Sequence, residues 1–174
     1  MLAINAKLNL EVGKPIDIKD LPSSGAKLAS LVGVGPLTLS ASDQAALKDW
    51  LIKGGTLLVE AVGGNREFDT SAREVVGKMF PDAALRRMAT VTPPLGLPES
   101  PITRVKYRSK TATRLGAMRE PNLMSIVVEG RPIVIYSGED ISGGLLGLEG
   151  ATLDGYNSDS AYAIMRNIMV WAAK

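Results

Sequence analysis

An early segment of the chain places a strand, a helix and a second strand in direct succession. Residues 28–34 form a compact apolar run, which is typical of a strand buried on both faces. Residues 40–43 resemble a helix capping box, and Gly54-Gly55 ends the helix that follows. Residues 56–62 are a second apolar run. Two strands joined through a helix lie parallel with a right-handed crossover, so the pattern predicts an α/β fold.

The remaining segments extend this α/β pattern. Ser71 and Glu74 form a second capping box, and the helix that it predicts ends at Pro81. Residues 92–103 contain four prolines and are predicted to be a loop. Residues 125–128 and 131–136 flank Glu129-Gly130 and predict a hairpin near the carboxyl end. The sequence therefore favours a mostly parallel sheet with a C-terminal hairpin.

Weaker patterns fill the intervals between these elements. Leu8, Leu10 and Val12 alternate with polar residues and predict a half-buried strand, and residues 16–19 predict a short extended piece at an edge. Residues 143–160 are rich in glycine and are predicted to be a loop. An amphipathic helix ends the chain, with an apolar face composed of Ala161, Ile164, Met165, Ile168 and Ala172.

Composition limits the chemistry available to this chain. Its 174 residues suit one domain, residues 1–174, and its mean hydropathy is +0.11. It contains no cysteine and no histidine, which removes the commonest thiol nucleophile, the commonest general base and the usual ligands of zinc. We expect no cofactor and no metal. No signal peptide or membrane-spanning run is predicted, so we expect a soluble domain of unknown compartment, which could be an excised part of a secreted or membrane-tethered protein.

Acidic residues near strand ends are the main candidates for a site. Glu60 interrupts an apolar strand near its carboxyl end, where ligand crevices of parallel sheets lie. Burial there would raise its pKa and could make it a base, whereas the alternative is a carboxylate that meets solvent or an arginine. Ser137, Glu139 and Asp140 follow the strand 131–136. They could bind a ligand or a hard cation, but such residues more often hold a turn through backbone amides.

Two short motifs invite a catalytic interpretation that the residues around them do not support. Ser24-Gly25-Ala26-Lys27 matches S-x-x-K, but its companion motifs are missing and Ser24 lies in a turn. Gly33-Val34-Gly35 begins like a dinucleotide-binding loop, but the third glycine position is Thr38. Both motifs favour turns.

The positive charge of the chain is concentrated in one segment. Residues 100–119 carry six basic residues and no acid, so this segment is +6, the chain is +2 and the remainder is −4. Arg104, Lys106 and Arg108 alternate with apolar residues and predict a strand with one basic face, which could bind an anionic partner. A charged edge strand is the favoured interpretation, because Tyr107 is the only aromatic residue interleaved, and nucleic acid is not expected.

Several blocks together resemble a bacterial family, the domain of unknown function 4159. They comprise Leu47-Lys48-Asp49-Trp50-Leu51 leading into Gly54-Gly55-Thr56-Leu57-Leu58, Phe68-Asp69, Phe80-Pro81, residues 130–137 with Asp140, and Asn167-Ile168. The resemblance covers residues 28–174 and implies a class I glutamine amidotransferase-like fold, which is a flavodoxin-like three-layer α/β sandwich. It implies no known reaction. Amidotransferases use a strand-end cysteine and a histidine, and this chain has neither.

These observations favour a non-catalytic module that binds a small molecule or a protein partner. Its site is expected at the carboxyl edge of the sheet, and the candidate ligand-binding residues are Gly35, Glu60, Asp69, Ser137, Glu139 and Asp140. The alternative is a hydrolase that uses these carboxylates on a carbohydrate-like substrate, which requires two carboxyl groups about 5–10 Å apart.

Overall fold

The computed structural model describes residues 11, 13–148, 150 and 153–174. The described residues form a five-stranded sheet with helices on both faces. The strands are β1 (Leu28–Gly33), β2 (Thr56–Ala61), β3 (Arg86–Arg87), β4 (Leu123–Val128) and β5 (Arg131–Ser137). The α-helices are α1 (Ala41–Ile52), α2 (Arg66–Met79), α3 (Ser109–Leu115), α4 (Ser142–Leu145) and α5 (Ser158–Ala172). The 3-10 helices are Ile18–Ser23 and Val62–Gly64.

The sheet has the strand order β1-β2-β5-β4-β3. β1 and β2 pair in parallel, as the strand-helix-strand pattern predicts, and β5 pairs in parallel with the other side of β2. The predicted hairpin of β4 and β5 is confirmed, with Glu129 and Gly130 at φ 50° and 79° in its turn. β3 also pairs with β4 in antiparallel orientation. Among the described strands two pairings are parallel and two antiparallel, so the sheet is mixed and not mostly parallel.

Side chains alternate between two apolar cores, one on each face of the sheet. Leu57 and Val59 of β2 point into the first core, where they pack with α1 and α2. Leu58, between them, points into the second core, which α5 covers. All six residues of β2 are buried because both neighbouring strands and both helical layers surround it. β2 is therefore the centre of the molecule, and its carboxyl end lies deep below the surface.

The sequence predicts the start of α1 correctly but not the start of α2. The capping box of α1 is confirmed, because Ser40 accepts a hydrogen bond from the Asp43 amide and Asp43 accepts one from the Ser40 amide. The predicted capping box at Ser71 is wrong, because α2 begins at Arg66 with Asn65 as its N-cap. Ser71 lies inside α2, where its hydroxyl accepts from the Leu37 amide and donates to the helix backbone.

Four further sequence predictions differ from the fold. β1 is an edge strand, so it is not buried on both faces. The extended piece predicted at residues 16–19 is replaced by the start of a 3-10 helix at Ile18. Residues 104–108 form no strand beyond the single bridge between Tyr107 and Tyr156, and the predicted loop at 143–160 includes most of α4 and the start of α5. The strand predicted from Leu8, Leu10 and Val12 lies outside the described residues.

Arg131 connects the turn after α1 to the start of β5. Its guanidinium donates to the carbonyl oxygens of Gly54 and Gly55, at 2.7 and 2.9 Å, and to the Thr56 hydroxyl at 2.7 Å. Burial lowers the pKa of Arg131. These contacts lie at the amino ends of β2 and β5 and fix the register of the central pair.

Candidate functional site

The carboxyl ends of β1, β2 and β5 lie at one edge of the sheet because these strands run parallel. Glu60 of β2 is opposite Ser137 of β5 and opposite Val32 of β1 in the strand register. The segment after β5 turns back over this edge and forms α4. Four of the predicted site residues, Glu60, Ser137, Glu139 and Asp140, are therefore placed in this one region.

Glu60 is completely buried, and its carboxylate holds the turn between β5 and α4. Its Oε1 atom accepts hydrogen bonds from the amides of Ile141 and Ser142, at 2.9 and 2.7 Å. Its Oε2 atom accepts one from the Ser142 hydroxyl at 2.9 Å. Burial raises the pKa of Glu60, as the sequence predicts; the amide of Ser142 opposes this rise and the side chain of Asp140 adds to it.

Asp140 and Arg108 form a buried pair beside Glu60. The Asp140 Oδ1 atom accepts from the Gly143 amide at 3.0 Å, and its Oδ2 atom lies 3.4 Å from Arg108 Nη1. Arg108 also donates to the carbonyl oxygens of Asp154 and Leu148, at 2.8 and 2.6 Å. Arg108 therefore joins three parts of the chain, and its predicted place in an exposed basic patch is wrong.

Asp154 is a buried acid in the glycine-rich segment before α5, and no sequence pattern singles it out. It accepts a hydrogen bond from the Thr111 hydroxyl at 3.0 Å and forms a salt bridge with Lys110. Two residues of α3 therefore bind Asp154. The Thr111 hydroxyl in turn accepts from the Gly155 amide at 2.7 Å. One signal could have found this acid, since a segment with six basic residues needs acidic partners elsewhere in the chain.

Glu139 is also buried, and it is paired with Arg114 of α3. Its Oε2 atom lies 2.5 Å from Arg114 Nη2, and its Oε1 atom accepts from the Asn122 side-chain amide at 3.1 Å. Burial alone would lower the pKa of Arg114, but Glu139 and Asp154 raise it further than burial lowers it. The Ser137 hydroxyl donates to the Glu139 carbonyl at 2.6 Å, so this serine is committed to the turn.

Asp69 lies in the first turn of α2, and about 29% of its side chain is exposed. It accepts from Arg73 Nε at 3.0 Å and from the Tyr136 hydroxyl at 2.9 Å. Burial and the neighbouring Asp69 carboxylate raise the pKa of Tyr136. A Cβ atom at Gly138 would lie 3.0 Å from the Asp69 carboxylate, so the turn after β5 passes close against α2.

Gly35 and Ser24 both lie in turns, as their motifs predict. Gly35 has φ 82°, and its amide donates to the Asn65 side chain at 3.1 Å. Because Asn65 also caps α2, this bond ties the loop after β1 to the start of that helix. The Ser24 hydroxyl donates to the Leu21 carbonyl at 2.8 Å and accepts from the Ala26 amide. The Gly35 amide is thus already occupied within the chain.

Every buried side-chain nitrogen or oxygen among the described residues has a hydrogen-bond partner. Within that part of the chain, no group of three acidic side chains could hold a metal ion. A depression of about 130 Å³, which Lys27, Trp50 and Gly55 help to line, lies at the amino ends of β1 and β2. Its volume is below the roughly 300 Å³ at which small-molecule pockets begin. The buried carboxylates at the opposite edge of the sheet hold loops.

Solvent access divides the predicted site residues into two groups. Glu60, Ser137, Glu139 and Asp140 are buried, whereas Gly35 and Asp69 are half-buried at the rim. In the basic segment, Arg104 and Lys106 are exposed and Arg108 is buried. None of the described helices has the length and apolar character needed to cross a membrane.

Comparison with known proteins assigns this chain to a family. No curated protein matches this chain. A family model, Domain of unknown function (DUF4159), matches residues 28–173, from the first residue of β1 to the end of α5. Because this match covers most of the 174 residues, the chain belongs to the DUF4159 family.

Proposed function

We propose that this protein is a non-catalytic binding module on a glutamine amidotransferase-like scaffold, and that it takes a protein partner. The observation that carries the proposal is the complete use of the strand-end carboxylates by the chain itself. Glu60, Glu139 and Asp140 have at most 5% exposure and bond to amides and side chains of the same chain. A general base must reach its substrate, and these groups do not reach the surface.

The scaffold assignment is supported by the layer arrangement and the position of Ser137. Helices cover both faces of the sheet, as they do in a flavodoxin-like sandwich. Ser137 stands at the strand end where a nucleophile would be expected on such a scaffold, but its hydroxyl donates to the Glu139 carbonyl. With no histidine in the chain, no imidazole base could activate this hydroxyl.

Three large apolar side chains at the end of α4 and on the adjoining α5 remain exposed; we name them the α4 patch. Leu146 is 75% exposed, Leu148 is 50% exposed and Tyr162 is 41% exposed. The Tyr162 hydroxyl donates to the Leu145 carbonyl, so its ring lies against the end of α4. Glu60 and Asp140 accept hydrogen bonds from the first amides of α4 and hold the turn that carries this helix. Exposed apolar clusters of this kind are typical of protein-binding surfaces.

The first experiment tests for turnover. Wild type and Glu60→Gln would be assayed with glutamine and with nitrophenyl esters and glycosides. We expect no turnover from either protein. Turnover by the wild type that is lost in Glu60→Gln would contradict the proposal and favour a carboxylate-based hydrolase.

The second experiment tests the α4 patch with a phage-displayed library of random peptides panned on the immobilised chain. We expect recovered peptides to bind the wild type and the control Val91→Lys, but to lose at least about tenfold in affinity for Leu146→Lys. Val91 is the matched control because it is 82% exposed and lies just before the proline-rich segment 92–103, away from α4. If the recovered peptides bound Leu146→Lys as tightly as Val91→Lys, the assignment of the α4 patch would be contradicted.

The hydrolase remains a second candidate for one reason. Burial and the nearby Asp140 side chain raise the pKa of Glu60, and a carboxyl group with a raised pKa suits a general acid or base. Substrate would reach Glu60 only if the turn at residues 138–148 swung away, which breaks the three hydrogen bonds to Glu60. The turnover assay with Glu60→Gln separates the two functions.

A further inference from the structure

The two edges of the sheet differ in length and in charge. β3, at one edge, has only two residues, and both are exposed arginines. β1, at the other edge, has six residues, Leu28–Gly33, with no charge and no proline. Edge strands of monomeric proteins are usually short, charged or covered, because an open edge pairs with other strands. β3 is short and charged, whereas β1 is longer and neutral, and no strand in the described part of the chain covers its outer edge.

No strand among the described residues pairs with the outer edge of β1. The inner edge is fully used, since all six residues of β1 are in register with β2. The family model begins at residue 28, the first residue of β1.

One face of β1 carries Leu28, Ser30 and Val32, and the last two of these side chains are uncovered. Leu28 packs partly against the second core, whereas Ala29 and Leu31 pack against the first, so even-numbered residues share the α5 face. Val32 is 46% exposed, Val34 is 72% exposed and Ser30 is exposed. α5 thus leaves this part of the sheet open.

We propose that the β1 edge is a self-association surface, on which a second copy of this chain adds its own β1 in antiparallel orientation. A two-fold axis at Leu31 places Ser30 of each copy opposite Val32 of the other, and Ala29 opposite Gly33. The same face of both sheets stays continuous, because opposed residues in an antiparallel pair point to the same side. Two five-stranded sheets then form one sheet of ten strands.

Charge explains why the occupant is a second copy and why β1 is the edge it uses. A two-fold interface brings each residue close to its own equivalent, so any charged side chain near the axis meets a like charge. β1 is neutral throughout and therefore complements itself. The same pairing at β3 would oppose arginine to arginine, which is unfavourable. This surface does not depend on the α4 patch.

The test is sedimentation equilibrium of the full chain from about 1 to 200 µM, because association depends on concentration. We expect the wild type and Val91→Lys to form dimers. Ser30→Lys and Val32→Lys place like charges beside the two-fold axis, and we expect each to raise the dimer dissociation constant at least about tenfold. Both variants should keep the wild-type circular dichroism spectrum, because both side chains point to solvent.

Hydrogen exchange provides a second measurement that does not depend on the variants. We expect the β1 amides that do not bond to β2 to exchange more slowly as the wild-type concentration rises, and not to do so in Ser30→Lys. A wild type that is monomeric throughout would overturn the proposal. If the chain's own residues 8–12 occupied this edge, the protein would be such a monomer, and Ser30→Lys would lower its melting temperature. A dimer that survives both lysine variants would also overturn it.

Discussion

Glu60 shows how one buried carboxylate can hold a turn of the fold. It replaces water for two backbone amides and one hydroxyl in the turn before α4. Two of these donors belong to the backbone, and a buried amide without a partner is costly. The position therefore needs an acceptor of this length, whether or not it carries a charge.

Replacing Glu60 separates the role of its length from the role of its charge. We expect Glu60→Ala to lower the free energy of unfolding by about 2–4 kcal/mol, because two buried amides lose their acceptor. Glu60→Gln should stay within about 1 kcal/mol of the wild type, because its oxygen can accept both amides and its amide can donate to Ser142. Urea melts of the three proteins would measure this, and equal losses in both variants would contradict the assignment.

The raised pKa of Glu60 predicts how stability depends on pH. The folded chain binds this proton more tightly than the unfolded chain, whose carboxyl has a pKa near 4.5. The resulting stabilisation is complete below pH 4.5 and is lost as pH rises through the folded-state pKa. We expect the stability of the wild type relative to Glu60→Gln to fall as pH rises from about 4 to 8. A rise over this range in paired urea melts would show that the folded-state pKa is lowered instead.

Residues differ in how far the sequence reveals their roles. Glu60 is recognisable because it is the only charge in an apolar strand, and burial of that strand dictates its raised pKa. The buried roles of Arg108 and Asp154 are not recognisable, because each residue meets partners 32 residues or more away in the chain. Long-range polar contacts leave no local pattern.

Among the elements, the turn between α1 and β2 depends on a glycine. A Cβ atom at Gly55 would lie 2.4 Å from the Trp50 ring, which is buried in the first core. The ring also holds its place through a hydrogen bond from its indole nitrogen to the Ala26 carbonyl. The glycine pair in the sequence predicts the helix end, but the contact with Trp50 appears only when the helix packs.

A matched pair of glycine substitutions tests this packing. We expect Gly55→Ala to lower the free energy of unfolding by about 1–3 kcal/mol, because the indole ring must move. Gly77→Ala in α2 meets nothing within 4 Å and should raise it by about 0.4–1 kcal/mol through helix propensity. Thermal melts compare the two variants, and a neutral Gly55→Ala would mean that Trp50 adjusts freely.

The sequence predicts the start of a helix when the capping contacts are local. It does not do so when the capping residue also contacts a distant part of the chain. The Ser40 and Asp43 bonds of α1 lie within four residues, so the pattern predicts them. α2 begins at an asparagine that also binds Gly35, 30 residues earlier. No window along the chain contains both contacts.

At the scale of the whole molecule, two cores share one sheet, and each holds one of the two tryptophans. Trp50 is buried in the first core, and Trp171 packs against the second. Adjacent leucines of β2, Leu57 and Leu58, enter opposite cores. Because every strand contributes to the backbone ladder between the cores, we expect them to unfold together.

Single-tryptophan variants test this cooperativity. We prepare Trp50→Phe and Trp171→Phe, each of which keeps one tryptophan. For each protein, we expect fluorescence and circular dichroism to give the same urea midpoint. Adding Leu57→Ala should cost about 2–5 kcal/mol in both backgrounds, although this leucine lies only in the first core. Separate midpoints, or a loss seen only by Trp50, would show that the faces unfold independently.

The overall topology is only partly encoded in local patterns. The strand-helix-strand unit predicts that β1 and β2 are parallel, and turn residues predict the β4–β5 hairpin. No local pattern predicts that β5, the last of the described strands, pairs with the side of β2 opposite to β1 and leaves β1 at the edge. This position of β5 is favourable because it buries an apolar strand between β2 and β4. The free energy gained in this way depends on the assembled sheet and not on a local sequence pattern.

The insertion of β5 beside β2 has a consequence for biosynthesis. Thr56 meets Arg131 across 75 residues of chain, so β2 leaves the ribosome long before its central partner is made. At about 5–20 residues per second, that interval lasts roughly 4–15 s. Throughout it the nascent chain presents an apolar strand with one unpaired edge to the cell. Chaperone contact with this half-built sheet is thus expected to govern the yield of folded protein, independently of the stability that the finished molecule attains.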